Sequence, residues 1–304
     1  MHLTINHCKI LACLFLLYIS WGSTYLGIKL SLPVLPPFLM CGLRMLLAGI
    51  LLYALTGLHG ERAHPCSRDL RHTGLLAVFM VLIASGFLSK GQESIPSATA
   101  AIISGAVPIW MLLAGWLFAG EPRPTLRQAL GLCGGFAGLV LLAFSRHGGG
   151  HASALGMLWV FGSTLGWIAG SLYSKRRRVS TALSPLRSCA LLLILGGVQS
   201  LLAGLLWGEP GQIRPENITP AAVAGFSWLV LGGSLIAYSS YFWLLRNTPI
   251  SIAVSYEYVV PVIGLLLAWL LGGETVTPQM ALACGLTVCS VFFILLDRHQ
   301  KGRR

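Results

Sequence analysis

The chain has 304 residues, of which 55% are hydrophobic and only 10% are charged. A soluble domain carries charge on roughly a quarter of its residues, so this composition excludes a soluble globular protein. The net charge of +12 does not indicate a nucleic-acid partner, because the cationic side chains lie in short links between apolar segments, where membrane topology accounts for them.

Apolar segments of about 18 residues or more, the length that a bilayer core requires, recur from one end of the chain to the other. They predict an all-α, polytopic membrane protein with ten transmembrane helices. The first apolar run continues from Ile10 to Ile28, which is too long for the core of a signal peptide, and we expect it to be retained. The predicted spans are 10–30, 37–58, 72–89, 95–118, 125–145, 152–174, 186–207, 219–245, 250–271 and 278–296.

The basic residues are divided unequally between the two sides of the membrane. If the N-terminus is cytoplasmic, 16 of the 21 fall on the inner side and 4 on the outer side, with Arg44 inside a span. This excess predicts a multi-pass protein of the bacterial inner (plasma) membrane with both termini in the cytoplasm. One inner link holds a basic run that should contact anionic lipid headgroups. The run comprises Lys175, Arg176, Arg177 and Arg178.

An internal repeat relates the two halves of the chain. Residues 96–121 and 249–274, which are 153 positions apart, are identical at 10 of 26 positions, and Trp21 corresponds to Trp167 at a shift of 146. We therefore predict two five-helix repeats, 1–149 and 150–304, within one integrated membrane domain. Because five is odd, the second repeat is inverted, an arrangement in which transporters place the substrate near the membrane midplane.

Few ionisable side chains fall inside the spans, so the sequence predicts no catalytic residue and no metal site. Glu257 is the one acid clearly inside a span; it either binds protons or a cationic substrate, or reaches water at the cytoplasmic end. Arg44 is the one base clearly inside a span and lies near its outer end. Because its depth differs from that of Glu257, we expect it to bind backbone carbonyls or to extend outward rather than to form that ion pair.

Aromatic residues indicate where a substrate would bind. The repeat brings Trp21 and Trp167 towards the symmetry axis from opposite halves, where flat rings suit amphipathic solutes and amines. Trp21 and Tyr25 are four residues apart and share a helix face. Ordinary packing or interfacial anchoring is the alternative for each ring. The predicted substrate-binding residues are Trp21, Tyr25, Trp167, Tyr241, Tyr256 and Glu257.

The fourth and ninth spans carry two further repeated features. Pro108 and Pro261 each remove a helix hydrogen bond, so they predict bends at equivalent positions. Glu121 and Glu274 follow the ends of these spans, where we expect water-accessible carboxylates with a structural role.

Short motifs in both halves resemble those of the EamA family of the drug/metabolite transporter superfamily, and the resemblance covers nearly the whole chain. The motifs are Trp21 to Thr24, Leu43 to Gly49, Val107 to Glu121 and Val260 to Glu274. The resemblance implies ten helices, a central cavity and efflux of amino acids, metabolites or drugs. Some second repeats of the family have an acid immediately before the signature proline, where this chain has Val260.

These features together predict a secondary transporter that exports amino acids or amphipathic amines and drugs by alternating access. The sequence lacks the GxxxxGK[ST] motif of ATP-driven pumps, and no cofactor is expected. A membrane-embedded enzyme and a channel or non-transporting sensor are the alternatives. Proton coupling and a homodimer stay open.

Overall fold

The computed structural model describes residues 2–61, 63–118, 123–143, 153–176, 183–248 and 256–301. Within these ranges the chain forms helices joined by turns and loops, with no β-strand, so the predicted all-α class is confirmed there. The helices are α1 (His2–Ser31), α2 (Pro37–Leu58), α3 (Ser67–Gly91), α4 (Ser97–Ser104 and Val107–Phe118), α5 (Leu126–Ala143), α6 (Ala154–Arg176), α7 (Pro185–Leu206), α8 (Pro220–Trp228, Leu229–Ile236 and Ala237–Asn247), α9 (Tyr256–Leu270) and α10 (Pro278–Lys301).

Seven helices in the described ranges are long and apolar enough to cross a membrane, and a shorter apolar helix covers Val259–Leu270. Large apolar side chains face outward from the bundle; Leu206, for example, is 90% exposed and Phe118 is 76% exposed. Such a surface is costly in water and stable against lipid tails. The chain is therefore a membrane protein.

Helices α2 and α7 pack with their backbones in close contact, and we call this contact the α2–α7 interface. A methyl group built on Gly49 would lie 2.7 Å from the Ile194 backbone nitrogen, and one built on Gly197 would lie 2.6 Å from the Leu46 backbone nitrogen. No larger side chain fits at either position without a backbone shift. Small residues of this kind let membrane helices approach closely enough to gain van der Waals packing.

Each helix of this pair is capped by a glutamate that follows the other helix. Phe38 and Leu39, at the start of α2, donate backbone N–H groups to Glu209 at 3.1 and 2.8 Å. Ser184, before α7, donates its backbone N–H to Glu61 at 2.8 Å and also donates its hydroxyl. The two glutamates are 209 − 61 = 148 residues apart. They supply acceptors for N–H groups that a helix start leaves unpaired, reciprocally between the two halves of the chain.

A third glutamate, Glu274, joins three helices at one end of the bundle. Its carboxylate accepts hydrogen bonds from Ser97 N at 3.0 Å, Ser97 Oγ at 2.7 Å and Ala98 N at 3.1 Å at the start of α4. It also pairs with Lys29 of α1 at 3.0 Å, and its side chain is only 9% exposed. The expectation of a water-accessible carboxylate is therefore wrong, because the ends of α1 and α4 enclose it. Its repeat partner Glu121 lies outside the described residues.

Two helices contain π-helical segments, Val78–Gly86 in α3 and Leu229–Ile236 in α8. The segments begin 229 − 78 = 151 residues apart, so one lies in each half of the chain. A π-helical turn shifts the following side chains out of regular helical register and is frequent at functional sites. Neither segment follows a proline, and both lie next to the cavity described below.

The two helices that contain the prolines predicted to cause bends differ in continuity. Helix α4 is interrupted at residues 105–106, and its second part begins at Val107, next to Pro108. Helix α9 continues through Pro261. The interrupted part of α4 nevertheless contacts α9 at Pro261: a methyl group built on Gly105 would overlap the Pro261 ring. The interruption of α4 thus brings its backbone against α9.

Candidate functional site

The centre of the bundle contains a cluster of aromatic rings built around Trp21 of α1. Its ring centroid lies 5.3 Å from that of Trp167 in α6, and the two planes are perpendicular. The Tyr256 and Tyr241 rings lie 4.6 and 5.3 Å from Trp21. The predicted approach of Trp21 and Trp167 from the two halves is confirmed. Edge-to-face contacts of this kind hold rings in fixed positions, which gives the cluster a defined shape.

A cavity borders this cluster, and the space between its walls, open side included, is about 660 Å³. The described part of the wall is mostly apolar, with several hydroxyl groups and one charged side chain. It consists of Trp21, Thr24, Tyr25, Arg44, Ala84, Ser85, Leu88, Ser104, Val107, Ser163, Thr164, Trp167, Gly233, Tyr238, Tyr256 and Val260.

The structure brings most of the predicted site residues to this wall. Trp21, Tyr25, Trp167 and Tyr256 line it directly. Tyr241 does not line it; the ring is 3% exposed and packs 5.5 Å from Trp167, so it supports the wall from behind. Four of the six predicted residues therefore share one cavity, and a fifth holds two of them in place.

Two predictions concern side chains that lie outside the described residues. Glu257 belongs to the first turn of α9, but its side chain lies outside the described residues. In the predicted lipid-contacting run, Lys175 and Arg176 end α6 with side chains outside the described set, and Arg177 and Arg178 lie outside the described residues altogether.

Arg44 has surroundings that the sequence did not predict. It is 2% exposed and lies in the cavity wall, so the expectation that it extends outward is wrong. No described backbone carbonyl binds it either, and its Nε atom is buried without a hydrogen-bond partner. The error arose because distance along a helix gives depth in the membrane but not the neighbours at that depth: Gly233 of the π-helical segment of α8 lies beside the guanidinium.

Sequence reasoning left several wall residues out of the predicted site. Tyr238 is 2% exposed; its hydroxyl is 3.2 Å from Ser85 Oγ and donates to the Met80 carbonyl at 3.2 Å. Ser104 Oγ is buried without a described partner. One feature of the sequence could have indicated these residues: small residues cluster inside two apolar spans, in the segments that the structure shows to be π-helical. These clusters are Ala84 to Gly86 and Gly232 to Ser234.

The chemistry of the wall suits the binding of a small molecule. Flat rings present apolar surface, and a few polar atoms could fix the orientation of a solute. Among the described residues, no group of three or more His, Cys, Asp or Glu side chains could hold a metal ion. The described wall offers hydroxyl groups and one guanidinium rather than a nucleophile paired with a base.

Comparisons with known proteins show which transporter family the chain resembles. The EamA-like transporter family matches residues 9–144 and 154–296. The uncharacterized inner membrane transporter YedA of Escherichia coli (strain K12) is 32% identical over 94% of this chain and 90% of its own length. The uncharacterized transporter YvbV of Bacillus subtilis (strain 168) is 25% identical over 95% and 91%. A solved crystal structure shares the fold, with a TM-score of 0.68 and 21% identity over 96% of this chain and 99% of that one.

Proposed function

Because the chain belongs to the EamA-like transporter family, we propose that it is a secondary transporter that exports small organic molecules across the bacterial inner membrane by alternating access. The substrates are amino acids, or amphipathic amines and drugs. The observation that carries the proposal is the central cavity, whose wall combines Trp21 of the first half with Trp167 of the second. A site shared by two halves can open to either side when the halves rock against each other.

We also infer ten spans in two inverted five-helix repeats, 1–149 and 150–304, with both termini cytoplasmic. Contacts between links predicted on the outer side support the inferred topology: Arg214 N donates to Val34 O at 3.0 Å, and Ser153 N donates to Ser94 O at 3.4 Å. On the inner side, His72 Nδ1 lies 2.7 Å from the Tyr173 hydroxyl. The reciprocal capping by Glu61 and Glu209 supports the repeat.

Reporter fusions test this topology without a known substrate. A fusion after Gly149 should report the outer side and one after Val179 the inner side, as the charge distribution requires. The opposite pattern, or both fusions on one side, contradicts the inverted repeat.

Transport itself is tested with the purified chain in proteoliposomes. Radiolabelled amino acids and amines are offered with and without a pH gradient, and uptake is measured as a function of concentration. We expect saturable uptake that unlabelled solute on the far side accelerates by counterflow. Linear, non-exchanging flux would favour the channel alternative, and chemical conversion of the solute would favour an enzyme.

A further inference from the structure

The cavity wall contains one charged side chain among its described members, Arg44 of α2. It is among the largest side chains in the described chain that are almost completely buried, at 2% exposure. None of the ion pairs between described residues includes it. Its Nε atom has no hydrogen-bond partner there, and a thiol, that of Cys41, is the hydrogen-bonding side chain beside it. The side chain nevertheless faces the cavity rather than lipid.

A buried guanidinium in this state is costly. Arginine side chains carry a positive charge at physiological pH, and a buried charge without a counter-charge destabilises a protein. Its planar set of N–H donors matches the two oxygens of a carboxylate better than any single neutral acceptor. A guanidinium in the cavity wall is therefore suited to an anionic group that arrives with the solute.

Space for such a group exists beside the guanidinium. Gly233 faces it from α8, and a methyl group built on this glycine would lie 3.6 Å from Arg44 Nη1 and 3.0 Å from Thr24 Oγ1. The absence of a side chain at position 233 thus keeps the approach to Arg44 open. Ser104 Oγ, a second buried polar atom of the wall without a described partner, could bind a further oxygen of the solute.

We propose that Arg44 binds the carboxylate of the transported solute, while Trp21 and Trp167 contact its apolar or aromatic body. This inference rests on the proposed transport function and narrows its substrates to carboxylate-bearing organic molecules, amino acids included. Simple amines and neutral drugs then become poor substrates. Tyr25, Tyr238 and Tyr256 are the other described titratable groups of the wall, and each is neutral in its usual form at pH 7.

A series of ligands with one body and different headgroups tests the inference. Binding of phenylacetate, L-phenylalanine, phenylacetamide, phenethylamine and acetate to the purified full chain in detergent is measured by isothermal titration calorimetry. Phenylacetate and L-phenylalanine should bind at least about tenfold more tightly than the amide and the amine, because only they pair with a guanidinium. Acetate should bind more weakly than phenylacetate, since it lacks the ring.

Variants then connect the preference to Arg44. Arg44→Met should weaken phenylacetate binding about 10- to 100-fold, the usual range for a lost charged hydrogen bond, and leave phenylacetamide within about twofold. Arg44→Lys should keep part of the preference. Gly233→Ala retains the charge but narrows the approach to it, so it should weaken the carboxylates selectively. Arg214→Met is the matched control, because Arg214 is an exposed arginine paired with Glu216.

Several results would overturn the inference: wild-type binding of the amide or amine as tight as that of the carboxylates, no binding of either carboxylate, or a carboxylate preference that survives Arg44→Met. The proposed function has a separate test. Counterflow of a solute without a carboxylate would leave the transporter proposal intact while the role of Arg44 fails. Absence of counterflow for every solute would remove the transporter proposal.

Discussion

Two buried arginines, on the paired helices α2 and α7, have opposite surroundings. Arg187 at the α2–α7 interface is 4% exposed; its Nη1 donates to the Glu61 carbonyl at 2.6 Å and to Thr56 Oγ1 at 3.4 Å. Its guanidinium carbon also lies 4.0 Å from the centre of the Tyr53 ring. Arg44 is as deeply buried but lies in the cavity wall, and the side chain described as interacting with it is the Cys41 thiol. The Nε atoms of both arginines lack a hydrogen-bond partner among the described residues.

Burial alone therefore does not reveal what a charged residue does in this protein. At the α2–α7 interface the protein supplies the partners, and the charge helps to join two helices. At the cavity the described residues supply no ion-pair partner, and the charge can be used for binding. The comparison predicts that substitutions at the interface affect stability, whereas substitutions at the cavity affect transport.

The same substitution at both arginines tests this division most strongly. Arg187→Met removes two hydrogen bonds and a ring contact, so it should lower the free energy of unfolding by about 2–4 kcal/mol. Arg44→Met loses no described ion pair, only the contact with Cys41, and removes a buried charge, so its effect on stability should be near zero or favourable. Unfolding in mixed micelles by SDS titration measures both. Equal losses would contradict the distinction.

A matched pair of glutamates sharpens the comparison on the transport side. Glu257→Gln removes a titratable group from an apolar span, and gradient-driven transport should fall about tenfold, with a changed pH profile, if this carboxyl carries protons or binds an amine. Glu61→Gln weakens a cap of α7 and should reduce stability while leaving transport per folded molecule unchanged. Unaltered transport by Glu257→Gln at every pH would make that carboxyl structural.

The smallest expected effects distinguish two carboxylates in links outside the spans. Burial raises the pKa of Glu209 above its ordinary value despite hydrogen bonds from Leu39 and Phe38. Burial also acts to raise the pKa of Glu274, but hydrogen bonds from Ser97, Ala98 and Lys29 outweigh it, and the pKa is lowered.

The two shifts give opposite dependences on pH. Glu209 contributes stability below the ordinary glutamate pKa, about 4.3, and that contribution is lost as pH rises through its higher folded pKa. Glu274 contributes above the ordinary value and loses its contribution as pH falls through its lower folded pKa. On acidification from pH 7, the melting temperature of wild type minus that of Glu209→Gln should therefore grow, and the corresponding difference for Glu274→Gln should shrink. If both melting-temperature differences changed in the same direction on acidification, the pKa shift described for one of the two glutamates would be wrong.

The sequence predicted the membrane class, because the length of the apolar segments can be counted along the chain. It also predicted that Trp21 meets Trp167, because the internal repeat relates these two positions. It could not place Arg44 or include Tyr238 in the site. Helices that are apolar on every side do not show which face borders a cavity. The π-helical segments beside the cavity contain small residues but no proline, and the sequence did not predict them.

The central claim is that the cavity beside Trp21 and Trp167 binds the transported solute. Its most direct test is concentration-dependent proteoliposome uptake of the solute with the highest counterflow, by wild type, Trp21→Ala, Trp167→Ala and Trp269→Ala. Trp269 is 58% exposed on the outside of the bundle and serves as the control. We predict that the half-saturation concentration rises about tenfold or more for Trp21→Ala and Trp167→Ala and matches wild type for Trp269→Ala. Equal half-saturation in all four proteins would contradict the account.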